Sequence, residues 1–204
     1  MPRSFTPVTN QRGVTLTELL IALALGLFTI GAVYAVHLNQ VKKQIVQEDV
    51  LAMQQTARAA LDMMAREIRM AGYDPMGVNR DAVSSNDFYG LSYHPTELHV
   101  RTDLNGNGVP TDSKESIVYL FDDSTSTLRR KVGMGGRQPV AEHIKAFTVS
   151  YRDALGHPTT HAPSIRAVDV QVTARTAHPD SQYPENEGYR TLTLRSRIVP
   201  RNLP

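Results

Sequence analysis

The chain has 204 residues, which is enough for one globular domain with a helical extension. It contains no cysteine, which excludes a disulfide framework, a thiol nucleophile, a thiolate zinc site and a lipoprotein anchor. The formal net charge is +2, and Arg3 and Arg12 are the only charges among residues 1–13. The remainder is therefore formally neutral, which argues against nucleic acid as a partner.

A basic leader comes first, and an apolar segment follows it directly. Behind Gly13, the 18 residues from Leu19 to Val36 carry neither a charge nor a proline, which is long enough for a membrane span. A carboxylate in a membrane span raises the free energy of insertion by about 2.5 kcal/mol or more. We therefore interpret Glu18, at the start of this segment, as functional. Because Arg3 and Arg12 precede the span, we expect a cytoplasmic N-terminus and a periplasmic remainder.

The apolar segment continues into an amphipathic one. Neither proline nor glycine interrupts residues 32–71. One apolar face repeats at three- and four-residue spacings, and its members are Ala57, Leu61, Met64, Ile68 and Ala71. Gly72 and Pro75 predict the end of the helix. The sequence therefore predicts one helix from Thr17 to Ala71.

Residues 73–96 have the composition of a loop, and strand-like segments follow. These segments are Glu97–Arg101, Ser116–Phe121, Thr127–Val132, Lys145–Arg152, Ile165–Thr176 and Tyr189–Val199. After an interruption at Ala167 and Val168, polar and apolar residues alternate from Asp169 to Arg175. This alternation indicates a sheet with one buried face, which the apolar face of the helix would cover. The predicted fold class is α+β, a long N-terminal helix packed on an antiparallel β-sheet head. The predicted organisation is a leader (1–13), a hydrophobic helix (14–38), its amphipathic continuation (39–72) and a β-rich head (73–204).

One loop has the spacing of calcium ligands. Hard oxygen donors alternate from Asp103 and are followed by Gly108, as at the start of a D-x-[DN]-x-[DN]-G loop. Lys114 stands where an EF-hand has its bidentate glutamate, so a standard EF-hand is excluded and a shortened loop stays open. The alternative is a simple Asn-Gly turn. The candidate ligands are Asp103, Asn105, Asn107, Val109 through its carbonyl, and Asp112 or Glu115.

The seven histidines are scattered along the chain. His157 and His161 are four residues apart, but Pro158 lies between them and no glutamate completes an HExxH pattern. We therefore interpret these two histidines as loop residues rather than zinc ligands. No nucleophile elbow or phosphate-binding loop is found in the sequence.

The segment from Gln11 to Leu20 resembles the N-terminal signal of type IV pilins and pseudopilins. The resemblance implies cleavage after Gly13, methylation of the new N-terminus at Val14, and a role for Glu18 as the fifth mature residue. Two later segments resemble the minor pilin W / pseudopilin J branch, and they are Ala60–Tyr73 and Pro139–Tyr151. The family usually has Phe where this chain has Val14. The chain also lacks the helix proline of many major pilins, which argues against a major subunit.

The resemblance implies a non-enzymatic minor pilin that is assembled into a type IV pilus or primes its assembly. Its partners would be other pilin and minor pilin subunits, the prepilin peptidase and methylase, the inner-membrane assembly platform and the lipid bilayer. No cofactor is required, and Ca²⁺ is the one candidate. The expected location is the inner membrane and then the filament at the cell surface.

The sequence predicts no partner for Glu18 within its own helix except the new terminal amine. We therefore expect Glu18 to pair with the amine of a neighbouring subunit. Three alternatives stay open: a type II secretion pseudopilin J, a membrane-anchored periplasmic binding domain that never polymerises, and a DNA-capturing competence pilin. The neutral mature chain disfavours the last of these.

Overall fold

The computed structural model describes residues 13–80 and 87–203. One α-helix comes first, α1 (Leu16–Met70). Eight strands follow within the described residues, and they are β1 (Leu91–Ser92), β2 (Glu97–Arg101), β3 (Ser116–Asp122), β4 (Thr127–Val132), β5 (Gln138–Ala141), β6 (Ile144–Arg152), β7 (Ala167–Arg175) and β8 (Thr191–Ile198). The predicted leader lies outside the described residues apart from Gly13, and so does the part of the predicted 73–96 loop between residues 81 and 86.

The helix is confirmed to within one residue at each end, a difference no larger than the usual fraying of helix termini. The chain forms two compact units, Met1–Ile45 and Val46–Pro204. In the first unit, every described residue is exposed, including the apolar ones. In the second unit, the helix buries Met53, Ala57, Ala60, Leu61, Met64, Ala65 and Ile68. The apolar face predicted from the spacing is therefore the buried face.

The helix ends where two glycines meet. Gly72 has a φ of +75°, the left-handed conformation that ends many helices. Its N–H donates to the carbonyl of Arg101 (2.9 Å), and the N–H of Arg101 donates to the carbonyl of Gly90 (2.8 Å). A Cβ atom added to Gly90 would lie 2.2 Å from the backbone nitrogen of Gly72. Only glycine at position 90 allows the end of α1 to lie this close to the strand region.

The strands form two antiparallel sheets, where the sequence predicted one. The first has the order β1-β2-β3-β4-β5, and the second has the order β6-β7-β8. The chain changes sheet at Glu142 and His143, where His143 takes a φ of +56°. Its carbonyl accepts the N–H of Arg175 (2.8 Å), and this contact starts the second sheet. The sequence analysis also missed β1 and β5, because β1 has two residues and β5 is an edge strand that contains Pro139.

One hydrophobic core joins the helix face to both sheets within the second unit. In β7, Val168, Val170, Val172 and Ala174 are buried, and the residues between them are partly exposed. The predicted alternation is therefore confirmed. The same core contains Met64 and Ile68 of α1 together with inward-facing residues of both sheets. The other predicted strands have bounds within two residues of those observed.

Polar side chains connect α1 to the first sheet beside this core. The hydroxyl of Tyr119 on β3 donates to Oε2 of Glu67 (2.5 Å). Nη2 of Arg130 on β4 donates to Oε1 of the same carboxylate (2.6 Å). Burial, together with the Glu67 carboxylate, raises the pKa of Tyr119, so its hydroxyl stays protonated as a donor. Glu67 thus fixes the rotation of the helix against two strands.

A second polar group connects the three strands of the smaller sheet. Asp169 of β7 accepts hydrogen bonds from Nε of Arg152 on β6 (2.6 Å) and Nε of Arg197 on β8 (2.6 Å). The hydrogen bond from Arg197 and that from Arg152 hold the pKa of Asp169 below its usual range. The carboxylate is therefore charged at neutral pH and bonded to both neighbouring strands.

Candidate functional site

The predicted processing motif lies at the start of α1. Gly13, Val14 and Thr15 are exposed and precede the first helical residue, Leu16. Thr15 is the N-cap, because its carbonyl accepts the N–H of Leu19 (3.1 Å) as the first helical bond. The bond predicted to be cleaved, between Gly13 and Val14, is therefore in exposed backbone that precedes the helix.

Glu18 closes a capping box with Thr15. Oε2 of Glu18 accepts the backbone N–H of Thr15 (3.0 Å) and its hydroxyl (2.9 Å). In return, the backbone N–H of Glu18 donates to Oγ1 of Thr15 (3.3 Å). This reciprocal pattern satisfies N–H groups that a helix start leaves unpaired, and it places a negative charge at the positive end of the helix. The expectation that Glu18 has no partner in its own helix apart from the terminal amine is therefore wrong.

The two oxygens of Glu18 are used unequally. Oε2 takes both hydrogen bonds from Thr15, and Oε1 accepts none from the part of the chain that the structure describes. Glu18 itself is exposed. One oxygen can therefore keep the cap while the other accepts a hydrogen bond from a second molecule.

The apolar half of α1 follows the motif and is exposed. In the described residues, α1 is the one helix long and apolar enough to cross a membrane, and its most apolar window is fully exposed. The large exposed side chains of this half are Leu16, Leu19, Leu20, Ile21, Leu23, Leu25, Leu27, Phe28, Ile30, Val33, Tyr34 and Val36. A helix that is apolar on all sides requires lipid or other apolar helices around it.

The loop between β2 and β3 contains the predicted calcium ligands. Asp103 is fully buried, and Oδ1 accepts the backbone N–H groups of Gly106 (2.7 Å) and Asn107 (3.1 Å). Oδ2 accepts the N–H of Gly108 (2.9 Å). Gly106 and Gly108 have φ values of +76° and +74°, which let these N–H groups turn towards one carboxylate. The loop is therefore folded around Asp103.

Glu115 is the second buried carboxylate of this loop. It is 1% exposed, and Oε1 accepts the backbone N–H groups of Leu104 (2.8 Å) and Asn105 (3.0 Å). Oε2 is buried and has no hydrogen-bond partner among the described residues. A buried, unpartnered carboxylate oxygen is costly, and a cation is one way to satisfy it.

The other candidate ligands do not present oxygens to a common point. Oδ2 of Asp112 accepts the side-chain amides of Asn105 (3.1 Å) and Asn107 (2.7 Å). The carbonyl of Val109 accepts the N–H of Asp112 (3.3 Å). The carboxylates of Asp103, Asp112 and Glu115 do not form a set of donors within 4.8 Å of one another. Calcium binding therefore requires both amides to turn their oxygens inward, and it stays a prediction.

A group of donor atoms that the sequence analysis missed lies on β2 and the turn before it. Among the described residues, His94, Glu97 and His99 are the one set of His, Cys, Asp or Glu whose donor atoms all lie within 4.8 Å of one another. Nε2 of His99 lies 2.7 Å from Oε2 of Glu97. The rings of His94 and His99 are stacked at 3.8 Å. The available signal was Glu-x-His at alternate positions of a predicted strand, preceded by a turn histidine.

Comparisons with known proteins bear on the N-terminal motif. Residues 8–34 match the family described as "Prokaryotic N-terminal methylation motif". Among solved structures, the chain is similar to the type IV-like pilin TTHA1219 from Thermus thermophilus, with 16% identity and a TM-score of 0.47 over 76% of this chain and 98% of that chain. No curated protein matches the sequence. The minor pilin W / pseudopilin J branch stays a prediction, and the predicted N-terminal signal is confirmed: this chain carries a prokaryotic N-terminal methylation motif.

Proposed function

We propose that the chain is a minor pilin of a type IV pilus, a structural subunit without enzymatic activity. One observation carries the proposal: the residues that match the methylation motif include the start of α1 and most of its exposed apolar half. Such a surface needs lipid before assembly and other apolar helices after it. In this proposal the helix spans the inner membrane, with the N-terminus in the cytoplasm and the second unit in the periplasm.

Processing prepares the subunit for assembly. The prepilin peptidase cuts after Gly13, in the exposed backbone that precedes the helix. The new N-terminus, the amine of Val14, is then methylated and keeps its positive charge. It lies one residue before Thr15, which is already bonded to Glu18. The cut therefore leaves the capping box intact.

Assembly brings the amine of one subunit to the carboxylate of another. In an apolar helix bundle, an unpaired charge costs about 3–5 kcal/mol, whereas loss of an N-cap costs about 1 kcal/mol. The pairing of charges therefore outweighs any weakening of the cap. Oε1 of Glu18 is the atom available for a neighbour's amine, so that Oε2 can remain with Thr15. A fixed pair of this kind sets the axial register between subunits, and contact between the apolar helices supplies the main attraction.

The test of processing is an intact-mass measurement on protein extracted from membranes and from sheared filaments. We expect the mass of a chain that begins at methylated Val14. Gly13→Ala should leave the full-length precursor in the membrane. Gly26→Ala is the matched control, because Gly26 lies in the same exposed apolar helix with no atom within 4 Å of an added Cβ. A mature N-terminus at any other residue contradicts the proposal.

The location of the processed protein separates the pilin from the alternatives. We expect a fraction of it in sheared pili, with crosslinks to other pilin subunits through the apolar helix. Processed protein that crosslinks only to components of a general secretion system would indicate the pseudopilin J alternative. Protein that is never found in a filament of either kind would indicate a membrane-anchored binding domain.

A further inference from the structure

Glu97 and His99 lie on the face of β2 opposite its buried residues, and the ring of His94, from the turn before β2, stacks on that of His99. Glu97 and His99 are two residues apart on β2, and alternate residues of a strand point to the same face. Leu98 and Val100, the inward-facing residues of the same strand, are buried at 0% and 1% exposure. The three polar side chains are not part of the hydrophobic core, so packing of the core does not explain why they lie close together.

The backbone that carries these side chains is fixed on both sides. β2 pairs with β1 through Ser92 and His99, and with β3 through His99 and Val118. The hydroxyl of Tyr151 donates to the carbonyl of Glu97 (3.2 Å), which fixes the start of the strand. The turn that carries His94 contains Pro95, which restricts its conformations. The strand that carries Glu97 and His99 is therefore fixed before any ligand arrives.

The three side chains are partly buried and still accessible to solvent. The side chains of His99 and Glu97 are 19% and 30% exposed, and His94 is also half-buried. The imidazole of His99 contacts the Glu97 carboxylate through Nε2 (2.7 Å). Its lone pair is available once the N–H proton lies on Nδ1 rather than Nε2, a change of tautomer that releases no proton.

We propose that His94, Glu97 and His99 bind a divalent transition-metal ion of the zinc class. Two imidazoles and one carboxylate are the donors of three-ligand zinc sites, whereas Ca²⁺ and Mg²⁺ prefer oxygen donors alone. With bonds of about 2.05 Å, tetrahedral zinc places its donors about 3.3 Å apart. The donors already lie within 4.8 Å of one another, so binding needs side-chain rotation and no movement of the strand. The fourth position stays open for water or a donor from another molecule.

The experiment uses the full-length protein in detergent micelles, purified without an oligohistidine tag and stripped of metal with a chelator. Zn²⁺ is titrated by calorimetry in the presence of excess Mg²⁺. Co²⁺ is titrated in parallel, because its visible spectrum reports nitrogen ligands and a four-coordinate geometry. We expect one Zn²⁺ per chain and a cobalt spectrum of the four-coordinate type.

Variants locate the site. His94→Asn and His99→Asn should each weaken zinc binding at least tenfold, because loss of an outer-shell partner of a metal ligand already costs about 10–100-fold. Glu97→Gln should also weaken it. His157→Asn is the matched control, since His157 is 72% exposed and lies 3.7 Å from Asp153. It should bind zinc as the wild type does. Because residue 94 lies in a turn, the folding of His94→Asn is checked by circular dichroism, and we expect its spectrum to match that of the wild type.

Two results would overturn the inference. In the first, the wild-type chain binds no Zn²⁺ under these conditions. In the second, His94→Asn and His99→Asn bind Zn²⁺ as tightly as the wild type and His157→Asn, which would place the zinc elsewhere. Neither result depends on whether the protein enters a filament, so the test is independent of the proposed function.

Discussion

The carboxylate of Glu18 can serve two donors because its oxygens are used unequally. Oε2 belongs to the cap with Thr15, and Oε1 accepts no hydrogen bond from the described residues. Capping and charge pairing are therefore separable by mutation. Gln at position 18 keeps an oxygen for the capping box and removes the charge, because Gln serves the box as Glu does.

We expect Glu18→Gln to reach the membrane at wild-type levels and to enter filaments poorly, since a neighbour's amine would be buried without its counter-ion. Glu18→Lys should be worse, because two positive groups would then meet. Thr15→Val removes the cap, at a cost of about 1 kcal/mol, and keeps the charge, so it should assemble nearly as well as the wild type. The measurement is the ratio of protein in sheared filaments to protein in membranes. Wild-type incorporation of Glu18→Lys would contradict the pairing.

Glu67 provides a second test at the scale of one residue, this time of stability. Glu67→Ala would leave the guanidinium of Arg130 and the hydroxyl of Tyr119 without their partner in a mostly buried position. We expect a loss of roughly 2–4 kcal/mol in the free energy of unfolding. Asp62→Ala, which removes an exposed carboxylate from the same helix, should change it by less than about 0.5 kcal/mol. Urea unfolding in detergent, followed by circular dichroism, distinguishes the two, and equal effects would refute the role of Glu67.

At the scale of an element, the three-stranded sheet depends on the charge of Asp169. Its folded-state pKa is lowered, so its contribution to stability is present above the unfolded value of about 3.9 and is lost as pH falls through the folded value. We expect Asp169→Asn to cost about 1–2 kcal/mol at pH 7. The difference from the wild type should narrow below about pH 4, because the wild-type carboxylate becomes protonated there.

Urea unfolding of both proteins between pH 3 and pH 7 measures this difference directly, because the other carboxylates titrate alike in the two proteins and cancel. Asp62→Asn serves as the control, with a difference from the wild type that is close to zero at every pH. A gap between the wild type and Asp169→Asn that stays constant down to pH 3 would show that the ion pairs with Arg152 and Arg197 contribute nothing.

The loop between β2 and β3 gives the prediction about calcium. If a cation satisfies Oε2 of Glu115, then calcium at about ten times its dissociation constant stabilises the protein by about 1.4 kcal/mol. For a chain of this size the melting temperature should rise by about 3–6 °C. Asp112→Asn should reduce the rise, because Asp112 is the partly buried carboxylate on which the side-chain amides of Asn105 and Asn107 converge. Identical melting curves in calcium and in chelator would leave only the Asn-Gly turn.

For the molecule as a whole, the periodicity of apolar residues was sufficient to predict elements whose contacts are local or repeated. The face from Ala57 to Ala71 and the alternation in β7 could be predicted because burial leaves a regular pattern of apolar residues. The division into two sheets could not be predicted, because it depends on a left-handed conformation at His143 that no sequence pattern indicates. The contact of Glu67 with Tyr119 and Arg130 joins residues more than 50 positions apart, which spacing does not reveal.

The candidate sites could likewise be predicted only in the parts that leave a local pattern in the sequence. The Thr15-x-x-Glu18 signature of a capping box was present in the sequence and would have given Glu18 its partner. Glu97 and His99 could have been paired from their alternate positions on a predicted strand. The approach of His94 to Glu97 and His99 could not be predicted. The path of its turn depends on the pairing of β1, and a strand of two residues leaves no pattern in the sequence.

The contact between Gly72 and Gly90 has a genetic consequence. Alanine at position 90 would push the end of α1 away from the first sheet, and it would leave the sequence from residue 8 to residue 34, which the peptidase and the bilayer recognise in our proposal, unchanged. Gly90→Ala should therefore give a conditional allele. At low temperature its product would be processed and used, and at high temperature it would be processed and then degraded. Such an allele would allow the subunit to be withdrawn from living cells after the membrane pool has formed, so that its role at the start of filament growth can be timed separately from its role in the finished fibre.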